Sequence, residues 1–238
     1  LEEAMRLGAR DPRAVRAAGD LGRFGLGLKT ASFSQARALT VASRKLKGTV
    51  VCLRWDLDKI GDEPTAEWPL FEGPSPGSEK LSSYLFSSLQ GTVVVWENLD
   101  RIVSDGFQAS DMIDLIDRVE THIRMTFHRL LSSDGELKIS VNGKPVKPWD
   151  PFMTGHPGKA LESPEYRILH AAGVRVQCHV LPHKDMLSAS EHEKAAGPAG
   201  GTQHEGFYVY RNRRLLLSGG WMGLGEAGLR WPPCESPV

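Results

Sequence analysis

Gly22-Arg23-Phe24-Gly25-Leu26-Gly27-Leu28-Lys29-Thr30-Ala31-Ser32 places three glycines directly before a helix expected over residues 28–37. Such a run lets bare backbone N–H groups and a helix N-terminus approach phosphate oxygens, because a Cβ would hold the phosphates away and such turns use positive φ. Two common phosphate loops do not fit. A Walker A loop needs Gly-Lys-Ser/Thr, but here Leu28 separates Gly27 from Lys29-Thr30 and no strand precedes Gly22. A dinucleotide fingerprint needs G-x-G-x-x-G, and Thr30 stands where the third glycine belongs after Gly25-x-Gly27.

Upstream of the box, residues 8–21 are rich in Gly, Pro, Asp and Arg without an apolar period, which predicts a loop carrying Arg10, Arg13 and Arg16. Before it, residues 2–7 read as the end of a helix with Gly8 as its left-handed cap. Local charge singles out the same region. Residues 1–50 hold ten Lys/Arg against four Asp/Glu, and residues 51–100 hold three against nine, so +6 is followed by −6. Either two faces of one domain neutralise each other, or the basic segment faces a polyanionic small molecule.

Downstream, strands are expected at 39–44 and 49–57, the second with Val51, Leu53, Trp55 and Leu57 alternating with polar neighbours. Residues 60–78 read as loop, 79–89 as helix and 92–99 as a β-branched strand. Met112, Ile116, Val119, Ile123, Phe127 and Leu130 recur at helical steps over residues 111–131, with Ser110 at the N-cap and the stripe expected in a core. Further strands are expected at 136–142, ending in an Asn-Gly turn, at 174–181 and at 207–217; residues 147–158 are Pro/Gly-rich. This order predicts an α+β fold of two layers in series, cut near residues 99–108.

The whole-chain totals set bounds. At 238 residues with 40% apolar and 24% charged residues, the composition is that of a soluble globular protein rather than a disordered or fibrous one. Lys+Arg and Asp+Glu are 29 each, so net charge gives no argument for nucleic acid or an anionic membrane. Cys52, Cys178 and Cys234 are scattered singletons, which excludes a disulfide framework and a Cys-type zinc site and makes a reducing, cytoplasmic location the expectation. No apolar run is long enough to cross a bilayer.

The glycine string resembles the second glycine box of the GHKL ATPases, the superfamily of gyrase B subunits, the ninety-kilodalton heat-shock chaperone, sensor histidine kinases and MutL. It looks most like the MORC-type branch and the bacterial stand-alone Hsp90-like ATP-binding proteins. The resemblance implies a Bergerat-type α/β sandwich over residues 1–100, lacking its N-terminal helix, with the ATP lid at about residues 8–27. It implies ATP as ligand, with Gly22, Arg23, Phe24, Gly25, Leu26, Gly27, Lys29 and Thr30 around the phosphates. Lys29 is ambiguous on its residues alone: it either meets an anion or points to solvent. Gly91-Thr92-Val93-Val94-Val95-Trp96 resembles the Gly-Thr that opens the last sheet strand of this fold, which implies that Thr92 lies on the adenine side; read alone, Thr92 is one more β-branched strand residue. Residues 101–238 look like the second, transducer-like α/β domain of the stand-alone branch, through Trp149-Asp150-Pro151-Phe152 and Gly206-Phe207-Tyr208-Val209-Tyr210-Arg211-Asn212-Arg213-Arg214. There Arg211, Arg213 and Arg214 either reach phosphate or line the exposed face of an edge strand.

In that superfamily a Glu that activates water and an Asn that holds Mg²⁺ stand on a helix upstream of the lid, followed by an Asp-x-Gly-x-Gly adenine box. Neither occurs before Gly8. The resemblance therefore implies that the Mg²⁺ ligand lies upstream of Leu1, that the chain is an interior window whose tail after Gly225 reads as truncation or a frame change, and that it carries no catalytic residue and hydrolyses no ATP by itself. It implies lid closure and a homodimer in the parent protein. Two other functions remain open: a non-enzymatic scaffold module, in which the glycines only permit close helix packing, and a DNA-associated ATPase of MORC or MutL type. The latter has little charge support, because residues 101–238 balance at 16 against 16. His179 and His183 have a metal-like spacing but sit at a strand end with Pro182 between them and are read as solvated; His192 and His204 are read as loop, and no metal site is expected. Ser34, Ser43 and Ser188 lack a nucleophile-elbow context.

Overall fold

A computed structural model describes residues 1–6, 15, 26–60, 69–131, 137–158, 161–170, 173–197 and 205–223. The chain divides into two compact units, Leu1–Gln108 and Ala109–Val238. Its mixed helices and antiparallel strands make it α+β. Gly22, Arg23, Phe24 and Gly25, most of the expected lid, His204, Cys234 and the tail after Gly225 lie outside the described residues.

In the first unit, α1 (Glu2–Met5) and α2 (Gly27–Phe33) precede β1 (Ala38–Arg44) and β2 (Val50–Asp56). A short β3 (Phe71–Glu72), two single turns α3 (Glu79–Ser82) and α4 (Tyr84–Ser87), and β4 (Gly91–Glu97) complete it. The antiparallel sheet has the order β3-β2-β1-β4. Because β1 is central, its first five residues are all buried, and alternation sends Leu39 and Val41 to one face and Ala38, Thr40 and Ala42 to the other. The register sets Leu39 opposite Trp55 and Trp96, Val41 opposite Leu53 and Val94, and Ser43 opposite Val51 and Thr92. These nine side chains share one face. At the Leu39 end of that face, Met5 of α1 joins Leu39, Val41, Leu53 and Trp55 in the core, with Leu1, Phe33 and Leu70 packed against it. Each such side chain contributes about 1.5–3 kcal/mol by leaving water. The Trp55 indole needs a polar partner when buried and donates to the Met5 carbonyl at 3.0 Å.

Several boundaries differ from the sequence expectation for local reasons. Helix α2 stops at Phe33 instead of reaching Arg37, whose N–H donates to the Asn98 carbonyl at 3.0 Å. The helix expected over residues 79–89 breaks at Ser83, where the hydroxyl donates back to the Lys80 carbonyl at 2.6 Å. Strand β3 falls inside the expected loop; two residues between Pro69 and Gly73-Pro74 are too short for a periodic signal, and cross-strand pairing with Leu53 and Arg54 defines them.

The second unit opens with α5 (Ala109–Thr126) and α6 (His128–Leu131), which replace the single helix expected over residues 111–131. At Phe127 the ladder tightens, the Leu130 N–H bonding the Phe127 carbonyl three residues back at 2.8 Å. The apolar stripe of α5 is half-buried rather than fully in a core: Met112, Ile116 and Ile123 are partly covered and Val119 is 45% exposed. Hairpin β5 (Ser140–Val141)/β6 (Lys144–Pro145) turns at Asn142-Gly143 with φ of +49° and +77°, the primed turn that Asn-Gly favours. Next come β7 (Leu161–Glu162), β8 (Tyr166–Arg167), β9 (Arg175–Val176) and β10 (His179–Val180). The strand expected at 174–181 is thus two, β9 pairing with β8 and β10 with β7. An unexpected helix, α7 (Ala189–Ala196), takes in His192. It starts on a capping box in which the Ser188 N–H and hydroxyl donate to Glu191 at 2.9 and 2.6 Å. The strand expected at 207–217 is a hairpin, β11 (Tyr208–Arg211) and β12 (Arg214–Ser218), turning at Asn212-Arg213 with φ of +49° and +66°. Among the described residues no helix is long and apolar enough to cross a membrane.

Candidate functional site

Helix α2 carries the described end of the glycine box. Leu26 precedes it without a side-chain cap, so the first-turn amides receive no help from that side chain. Gly27, Leu28 and Thr30 are exposed. A Cβ on Gly27 would meet no atom within 4 Å among the described residues, so close helix packing does not explain this glycine. The Thr30 hydroxyl donates back to the Leu26 carbonyl at 3.1 Å. Lys29 behaves differently. Successive helical residues point about 100° apart, and Lys29 points inward, 3% exposed, with Nζ donating to the Ala4 carbonyl at 3.0 Å. Burial lowers its pKa. It does not point to solvent.

Helix α2 is tied to the sheet through Ser32, which is fully buried. The Trp96 indole N–H donates to Ser32 Oγ at 2.9 Å, and the Ser32 hydroxyl donates to the Leu28 carbonyl at 2.6 Å. Trp96 shares its sheet face with Val94 and Thr92, so the glycine-box helix docks on the face that carries Thr92. Toward the Thr92 end this face is open: Val51 is 46% and Val94 45% exposed. There Ser43 Oγ lies 2.9 Å from Thr92 Oγ1 and 3.3 Å from the Gly91 carbonyl. When Ser43 donates to the carbonyl, Thr92 donates to Ser43 and keeps its lone pairs for an incoming donor. On the opposite face, Glu97 accepts from Ser78 and from Thr40. Glu97 is therefore part of the scaffold.

Four of the ten basic residues of 1–50, Arg6, Lys29, Arg37 and Arg44, bond to partners within the first unit. Arg37 pairs with Asp58 at 2.6 Å and Asp100 at 3.5 Å, chiefly its hydrogen bond to Asp58 raising its pKa. Arg44 donates to the carbonyls of Gly48, Leu85 and Ser88, and Arg6 pairs with Glu2. Arg10, Arg13, Arg16 and Arg23 lie outside the described residues. Amides and hydroxyls suit phosphate and base. Among the described residues, the nine side chains of this face include no carboxylate and so do not by themselves make a Mg²⁺ ligand set.

The second unit centres on rings. His128 Nε2 lies 2.8 Å from the Tyr210 hydroxyl, the Arg129 guanidinium sits 3.6 Å from the Tyr210 ring centroid, and Phe152 stacks on His179 at 4.1 Å. Burial, aided by Arg129, lowers the His128 pKa to about 4. Burial pushes Tyr208 up to about 12 and Tyr210 higher. Burial also works against the Asp150 carboxylate, but hydrogen bonds from Thr154 and Phe152 outweigh it and keep its pKa low. His179 is thus not the solvated side chain expected of it: only 9% of it is exposed, against Phe152. His183 caps a short 3-10 turn by accepting from the Asp185 N–H at 3.3 Å. Arg211 and Arg213 are exposed at the β11/β12 turn, with Arg213 donating to the Arg129 carbonyl.

Residues 1–84 match the family model described as histidine kinase-, DNA gyrase B-, and HSP90-like ATPase. No curated protein and no solved structure matches the chain. The match spans the glycine box and β1 to β3 and ends before Thr92. Over residues 1–84 the chain is therefore similar to the GHKL-type ATPases, which bind ATP.

Proposed function

We propose that the first unit binds ATP on the open face of its sheet, with the phosphates at residues 22–30 and the base toward Thr92. The observation that carries this reading is that α2 is bonded through Ser32 to Trp96, on the same face of β4 as Thr92. The family match over residues 1–84 and the absence of any described atom within 4 Å of a Cβ at Gly27 support it. Gly22, Arg23, Phe24, Gly25, Leu26, Gly27 and Thr30 are the proposed phosphate neighbours, about residues 8–27 the proposed lid, and residues 101–238 a transducer-like domain. ATP would drive lid closure and conformational switching, with a homodimer as the assembly.

Phosphoryl transfer to water needs a positioned nucleophile and neutralised charge. The superfamily's Glu and Asn pattern does not occur before Gly8, so the chain is expected to bind nucleotide weakly without turnover. Addition of ATP-Mg to ¹⁵N-labelled chain is expected to shift the amides of Gly27 to Thr30 and of Thr92, and to release no phosphate above background. Unmoved amides at both places, together with an unchanged melting temperature, would overturn the reading.

A further inference from the structure

We infer that Lys29 is a positioning residue that clamps the end of α1 to α2, rather than a phosphate ligand; the inference rests on the ATP reading above and assigns this one residue of the box. The last carbonyls of a helix have no partner within it. In α1 two of them find side chains from other elements: Ala4 accepts from Lys29 Nζ at 3.0 Å, and Met5 from the Trp55 indole at 3.0 Å. A cation at a helix C-terminus meets the partial negative charge of those carbonyls, which offsets the cost of burying it. To reach an anion at the exposed side of α2, where Gly27 and Thr30 lie, the ammonium would have to leave this carbonyl and swing around the helix.

Ala4 and Lys29 also stand at the two ends of the segment joining α1 to α2. Their bond holds together residues 25 apart in sequence. Among the described residues, the N-terminal turn of α2 is held by attachments at successive helical turns, Lys29 to α1 and Ser32 to Trp96 of β4. Without the first, α2 keeps its hold on the sheet but its leading turn is free to tilt. Phosphate-binding amides would then lose their alignment without any loss of charge facing the phosphate.

The test uses the full chain with Lys29→Met, which keeps the packed stem and removes the donor, and Lys29→Arg, which keeps a donor. In Lys29→Met the Met5 and Arg6 amides are expected to shift and exchange faster, and ATP affinity to fall by about tenfold, the scale of one charged hydrogen bond. Lys29→Arg is expected to recover most of both. In the wild-type chain the Lys29 Cε–H signals, identified by their loss in Lys29→Met, are expected to stay in place when ATP-Mg moves the Gly27 amide. Lys29 Cε–H signals that follow ATP would make it a ligand and overturn the inference, as would Met5 and Arg6 amides indifferent to Lys29→Met. A wild-type chain in which ATP moves no amide removes the ATP reading itself, and the positioning role with it.

Discussion

At Gly27 the backbone φ lies outside the left-handed region and a Cβ meets no described atom within 4 Å, so neither conformation nor packing among the described residues demands glycine. Gly27→Ala is therefore expected to leave thermal stability unchanged or slightly raised, since alanine is favoured over glycine in a helix. ATP affinity should nevertheless fall by about tenfold, the scale of one charge-assisted hydrogen bond. Calorimetric titration beside thermal unfolding separates the two effects; unchanged affinity would mean that the amides of this turn do not hold phosphate. The glycines were legible in the sequence because they depart from what any ordinary helix start requires. The direction of Lys29 was not, because an inward and an outward lysine in one helical turn differ only in which neighbours the fold supplies, here the Ala4 carbonyl.

Between elements, the Trp96–Ser32–Leu28 chain of hydrogen bonds joins the helix that carries the glycine box to the strand that carries Thr92. Ser32→Ala removes the indole's partner, but Trp96 is 42% exposed and water can replace it. The expected loss is about 1 kcal/mol of stability in a urea melt, accompanied by weaker ATP binding as α2 loosens. A larger loss of stability with intact binding would count against this link. Long, periodic elements such as β1, β2, β4 and α5 were legible. Elements set by one local hydrogen bond or a pair of cross-strand partners were not. Ser83 ends α3 through its own hydroxyl, and Phe71-Glu72 becomes a strand because β2 offers its edge. Asn142-Gly143 announced its turn, whereas Asn212-Arg213 adopts the same positive φ at both positions without a glycine to mark it. The capping box of Ser188 and Glu191 was readable but lay in a stretch without an apolar period.

For the molecule as a whole, the pH response is expected to come from the second unit. His128 is buried, at 6% exposure, and its pKa falls from 6.5 to about 4. Between these values the unfolded chain binds the proton and the folded one does not, so this contribution is complete above pH 6.5 and is lost as pH falls toward 4. The shift corresponds to about 3 kcal/mol across that window. Denaturant melts at pH 7 and 4.5 should show the second unit weakening at the lower pH, and His128→Gln should flatten that difference. An equal pH response in the variant would place the proton elsewhere. Charge also reads differently at this scale. The +6 and −6 segments meet in part as ion pairs, Arg37 with Asp58 and Asp100, which are exposed and add little stability.

The sequence by itself carried the likeness of residues 1–84 to the GHKL-type ATPases and determined the first unit's main strands, because glycine spacing and alternating apolar residues act through local backbone geometry. Only the tertiary structure decided that α2 and Thr92 share a sheet face, that Lys29 serves the end of α1, and that His179 lies against Phe152. Those outcomes depend on which buried polar groups find partners across elements far apart in the chain. No local pattern encodes that choice.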